Sequence, residues 1–146
     1  MKKTIKKSIL AILFMFSFTA FINAQTTKEQ AKVAIEGYCP VAYQAMHKAV
    51  KGKPEYSSDY NGNTYQFVNE KAKEMFVANP AKFLPKYDAW CATAMSMGMK
   101  KKSDPTLFTV YKGATYLFSS KMAKEKFDKS PEMFVKKADE AFAKLK

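Results

Sequence analysis

The chain repeats itself, and that repeat limits what it can fold into more than any other feature. Residues 60–83 align with residues 111–134 at a constant displacement of 51, without a gap, and eleven of the 24 positions are identical. Tyr60, Gly62, Thr64, Tyr65 and Phe67 map onto Tyr111, Gly113, Thr115, Tyr116 and Phe118. The register continues through Ala72-Lys73-Glu74 and Phe76 to Pro80 and Phe83, which meet Pro131 and Phe134. The two cysteine segments ahead of these stretches, Tyr38-Cys39-Pro40-Val41-Ala42 and Trp90-Cys91-Ala92-Thr93-Ala94, are related by 52. Self-similarity at a fixed period marks one supersecondary unit used twice.

The unit can be read from its turn and cap residues. Asn61-Gly62 between two alternating apolar stretches signals a type I′ hairpin, predicting strands over 55–60 and 63–67. Lys112-Gly113 stands in the same place, predicting strands over 107–111 and 114–118. Helices follow over 69–76 and 121–127, and Pro131 opens a last, lysine-rich amphipathic helix. Ahead of the first hairpin, Cys39-Pro40 starts a helix that runs to about residue 50, where Gly52 closes it. Ahead of the second, Asp88 caps a helix that carries residues 90–99. The expected class is α+β: two pseudo-repeated helix–β-hairpin–helix units, about 33–85 and 86–141, forming one small domain.

The N-terminus reads as a signal for export. Lys2, Lys3, Lys6 and Lys7 precede a 14-residue uncharged run over 9–22, and Ala24 offers a small residue for cleavage. The pattern is that of a secretory signal peptide at 1–24, too short for a comfortable membrane span. No integral membrane segment is expected after cleavage, and the location is periplasmic or secreted. Losing those four lysines takes the net charge from +12 to +8. All 25 basic residues are lysine. Base readout and bidentate phosphate contacts depend heavily on arginine, so nucleic acid is excluded as a partner and the lysines are read as a dispersed solubilising surface.

Chemistry concentrates at sulfur. On a helix, Cys91, Met95 and Met99 fall at i, i+4 and i+8, in one stripe. Thiolate and thioether are the soft ligands that select Cu(I). Met46, seven residues past Cys39, lies nearly on its face, and His47 is turned further round. Cys39 and Cys91 are the only cysteines, and an exported chain meets an oxidising compartment. Three outcomes stay open: a disulfide, a shared metal site, or two separate thiols. One histidine, no serine nucleophile motif, no phosphate loop and no carboxylate pair speak against catalysis.

These motifs resemble the YHS-domain family. The resemblance rests on Tyr60-x-Gly62-x-x-Tyr65-x-Phe67, Phe76, Asn79-Pro80 and Phe83, preceded by Gly37-Tyr38-Cys39-Pro40-Val41-Ala42-Tyr43. Trp90-Cys91-Ala92, Asp104-Pro105 and Gly113-x-x-Tyr116-Leu117 extend it to secreted bacterial proteins with this domain. The resemblance implies a small module associated with heavy-metal handling. The cysteines that metal-associated members often carry after the second hairpin strand are missing: Val68-Asn69 and Ser119-Ser120 stand there. A metal site in this chain must therefore draw on Cys39, Cys91, Met95, Met46 and His47. The expectation is an exported, non-enzymatic protein binding copper or another soft metal ion through sulfur; the alternative is a disulfide-stapled interaction module without metal. Mass spectrometry of protein exported by the native host should find a mature chain beginning at Gln25, and an intact 1–24 segment would contradict the signal-peptide reading.

Overall fold

The computed structural model describes residues 32–146, so the expected signal peptide at 1–24 lies outside the described residues. The chain runs β1 (Lys32–Val33), a 3-10 turn (Ala34–Gly37), α1 (Pro40–Ala45), β2 (Lys53–Tyr60), β3 (Asn63–Phe67), α2 (Glu70–Ala78) and α3 (Pro80–Phe83). A second 3-10 turn (Lys86–Ala89), α4 (Ala92–Met95), β4 (Asp104–Tyr111), β5 (Ala114–Phe118), α5 (Lys121–Lys129) and α6 (Pro131–Lys144) follow. The class is α+β. One sheet has the order β1-β3-β2, with β1 parallel to β3; the other is the β4-β5 hairpin. From β2 to the start of α6 each element begins 51 residues after its counterpart: Lys53 and Asp104, Asn63 and Ala114, Glu70 and Lys121, Pro80 and Pro131. Both hairpins also shift register at corresponding places, between Lys53 and Ser57 and between Asp104 and Phe108.

Local chemistry accounts for these boundaries. Asn61 and Gly62 have φ of 48° and 76°, Lys112 and Gly113 48° and 75°. Two successive positive φ values are what a type I′ turn demands, and they match the twist of the strands it joins. The side chain of Asn69 accepts from the Ala72 N–H, and that of Ser120 from the Ala123 N–H, so α2 and α5 start on matching caps. α3 stops after one turn because Leu84 precedes Pro85 and is driven into extended backbone, ψ 131°. No proline follows Pro131 in α6, which continues for 14 residues.

The two cysteine helices are shorter than the apolar periodicity predicts. α1 ends at Ala45 rather than near residue 50, and α4 is the single turn Ala92–Met95 rather than a helix through 99. A long-range closure overrides the local pattern. The Cys39 N–H donates to the Val50 carbonyl at 2.9 Å, and Tyr38 bridges Lys51. The Cys91 N–H likewise donates to the Lys101 carbonyl at 2.9 Å, and Trp90 bridges Lys102. Left-handed residues make the return, His47 in the first loop and Gly98 in the second. Gly52 therefore closes no helix. It lies against β3, where an added Cβ would stand 2.3 Å from the Gln66 carbonyl carbon. Asp88 caps no helix either: it belongs to the second 3-10 turn, and Cys91 occupies the N-cap position without a side-chain bond.

Each hairpin packs its aromatic face on its own helices. Tyr65 and Phe67 meet Phe76, with ring centroids 5.0 and 5.1 Å apart; Tyr116 and Phe118 meet Phe127 at 5.1 and 5.0 Å. Two buried clusters result. The opposite faces differ. Gln66 is half-buried, whereas Leu117 and Thr115 are sealed. The cover includes α1, whose Gln44 amide donates to Thr115 Oγ1 at 3.4 Å and whose Tyr43 ring packs 4.8 Å from Phe108. The Tyr43 hydroxyl donates to the Pro105 carbonyl at 2.8 Å, a buried bond spanning 62 residues. No helix among the described residues is long and apolar enough to cross a membrane.

Tyr43 and Tyr87 are both held neutral, first by burial, and in Tyr87 also by its bond to Asp139; both phenols lie above their ordinary range. A raised folded-state pKa stabilises below the unfolded value, about 10, and that contribution is lost as pH climbs above it. Denaturant unfolding should therefore show stability falling above about pH 10, with a shallower fall in the Tyr43→Phe/Tyr87→Phe double variant. At neutral pH, Tyr43→Phe alone should cost about 1–2 kcal/mol, since it leaves the buried Pro105 carbonyl unpaired.

Candidate functional site

The five sulfur and nitrogen donors expected from the sequence differ in burial and in the cluster they join. Cys39 and Cys91 are free thiols, each sealed, and they lie in different clusters. The disulfide alternative is thus not realised. Met95 is the donor that shares a cluster with Cys91, and its N–H closes the first turn of α4 on the Cys91 carbonyl at 2.9 Å. The predicted stripe goes no further: Met99 lies beyond the helix and is 51% exposed. Met46 is 49% exposed at the C-cap of α1, and His47 is exposed in the return loop at φ 50°. Among the described residues no group of three or more His, Cys, Asp or Glu side chains could hold a metal ion. The donors therefore do not build a four-ligand zinc centre or a carboxylate cage for a hard cation. Cys91 and Met95 are the two of these donors that share a buried cluster.

A second feature lies where the halves meet. Each cysteine is preceded by a run of three left-handed residues: Ile35 (φ 51°), Glu36 (50°) and Gly37 (79°), then Tyr87 (59°), Asp88 (52°) and Ala89 (62°). For a non-glycine residue that conformation costs roughly 1–2 kcal/mol, because Cβ crowds the following carbonyl. Each run is closed by a matching backbone bond, Tyr38 N–H to Ile35 and Trp90 N–H to Tyr87, both 2.9 Å, and the first is also held by the Gly52 N–H on the Gly37 carbonyl at 2.8 Å. The second run is also anchored by the buried Tyr87 ring, whose hydroxyl donates to Asp139 Oδ1 at 2.9 Å. Strain of this kind persists where surroundings over-determine it, and it gathers at functional sites.

Both runs face one cleft of about 570 Å³, within the size range of small-molecule sites. Tyr60 and Tyr65 line it from the first hairpin; Trp90, Lys102 and Pro105 line it from the second half. Glu36 and Asp88, 52 positions apart and at matching places in the two turns, both reach it. Lys102 Nζ sits 2.7 Å from Glu36 Oε1, an exposed pair that links the halves and raises the lysine pKa. Burial, then the Asp88 carboxylate, raises the Tyr65 phenol. Neither cysteine lines the cleft. Sequence reasoning did not single out this site. Its one available signal was the 52-residue offset, which sets Glu36 opposite Asp88 as surely as Cys39 opposite Cys91.

Comparison with known proteins adds one finding. The family model described as the YHS domain matches residues 98–138, from the return loop after α4 through the second hairpin and α5 into α6. No curated protein and no solved structure gives a match. The YHS domain is a module associated with metal binding, which supports a general metal-binding role. The matched segment begins three residues after Met95.

The burial of both thiols can be checked directly. Ellman titration of the native protein should show neither cysteine reacting promptly, and two thiols should appear on addition of denaturant. No thiol after denaturation would mean that the cysteines are oxidised together.

Proposed function

We propose that this chain, which carries a YHS domain over residues 98–138, is an exported, non-enzymatic metal-handling module that takes up a soft ion, copper(I), through sulfur. The halves are read as two copies of one unit, of which the second holds the ion. The observation that carries the reading is the pairing of Cys91 and Met95: one helical turn apart, 1% and 0% exposed, and packed into the same cluster. A thiolate with a thioether suits the low coordination numbers of Cu(I), and the missing histidine and carboxylate partners count against zinc, calcium and magnesium. Cys39 lies in the other cluster and Met46 and His47 are exposed, so this reading rests on two of the five donors expected from the sequence. Enclosure by Tyr116, Phe118 and Phe127 would keep a bound ion dry. It would also make uptake depend on local opening of α4.

Competition titration of reduced mature protein against a Cu(I) chelator tests this. A stoichiometry near one is expected, reached slowly. Cys91→Ser should abolish binding and Cys39→Ser should leave it unchanged. Met95→Leu should weaken it with the fold retained, because leucine keeps most of the apolar volume and removes the sulfur. Wild-type affinity in Cys91→Ser would remove the sulfur reading altogether.

A further inference from the structure

The cleft between the two left-handed turns has no part in the sulfur chemistry, and its lining points to a ligand of a different class. Its walls are aromatic: Tyr65 and Tyr60 from the first half, Trp90 from the second. Four charged side chains border it. Glu36 is neutralised by Lys102 at 2.7 Å. Asp88 has no ion pair or side-chain hydrogen bond among the described residues, and nor does Lys32. The two differ in their surroundings. Both side chains are exposed, Lys32 on the short strand β1 beside Asn63 and Asp88 in the second 3-10 turn. Asp88 lines the same cleft as Tyr65, whose phenol is raised first by burial and then by the Asp88 charge.

From this lining we infer that the cleft is a binding site for a small organic cation, an aromatic or apolar body carrying a protonated amine. The amine would sit against the Asp88 carboxylate, and the body would lie along Tyr65, Tyr60 and Trp90. An aromatic face attracts a cation through its quadrupole, and an unmatched carboxylate beside it supplies a charge-assisted hydrogen-bond acceptor. An anionic ligand in the same place would meet Asp88 as a like charge. The strained turn contributes too. With φ of 52° at Asp88, the backbone aims the carboxylate-bearing residue at the cleft, and Tyr87 beneath it is fixed in the core.

The chain contains one tryptophan, Trp90, so its fluorescence reports on the cleft without a label. Phenethylamine titrated into the mature protein near neutral pH should produce a saturable change in Trp90 emission, matched by calorimetry. Phenethyl alcohol, which has the same body without the charge, should bind about tenfold or more weakly, and phenylacetate should not bind. Asp88→Asn should lose about tenfold or more in affinity for the amine. Asparagine tolerates the left-handed conformation, so the variant tests charge rather than folding. No saturable change with phenethylamine, equal affinity for the alcohol, binding of phenylacetate, or undiminished affinity in Asp88→Asn would each overturn the assignment. Cys91→Ser, which tests the metal reading, should bind phenethylamine like the wild type, so the two readings fail separately.

Discussion

The bond on which the architecture depends is the backbone N–H of each cysteine. It reaches a carbonyl ten or eleven residues further along, Cys39 to Val50 and Cys91 to Lys101. The bond ends the helix that starts at the cysteine, turns the chain back and delivers it to the first strand of the hairpin. It also fixes where the sulfur goes. With its N–H clasped by the returning chain and its own carbonyl opening a helix, each cysteine projects its side chain into the aromatic cluster of its half.

The two halves follow one order of elements and differ at matched positions. Gln66 and Leu117 hold the same strand position, yet one is half-buried and the other sealed beneath α1 and the chain around Cys91. Glu36 and Asp88 hold the same turn position, yet Lys102 answers only the first. The lysine stands in the return segment of the second half; Lys51, its counterpart, instead lies over the Tyr38 ring, 4.4 Å from its centroid. An ion pair between the halves on one side thus leaves a lone carboxylate on the other.

Much of the fold was legible because its causes are local. Asn61-Gly62 and Lys112-Gly113 specify turns within two residues, Asn69 and Ser120 specify helix starts within three, and the 51-residue register carries each assignment from one half to the other. The cysteine helices are shorter than their apolar period because the competing bonds come from residues 50 and 101, outside any window that reads helical period. The Cys91–Met95–Met99 stripe held for its first step and failed at the second, where Gly98 at φ 75° ends the turn. The cleft was illegible for another reason. Left-handed backbone at Ile35, Glu36, Tyr87 and Ala89 contradicts residue preference, and of the six positions only Gly37 and Asp88 favour it. Such positions are set by tertiary context, and a site made from them shows itself only once the halves are side by side.

Strand β5 has a consequence for how the molecule opens. Its four residues from Thr115 to Phe118 are buried on both faces, with its own helices on one side and α1 on the other. A strand in that position cannot exchange its amide hydrogens through breathing of either half alone. Release requires Tyr43 to leave Pro105, Gln44 to leave Thr115, and Phe127 to leave the opposite face. β3, with Gln66 half-exposed, carries no such double lock. Hydrogen exchange would therefore run in two tiers, the first hairpin opening sub-globally and β5 only with the whole chain. In that order the last structure to open would be the strand near the centre of the matched segment.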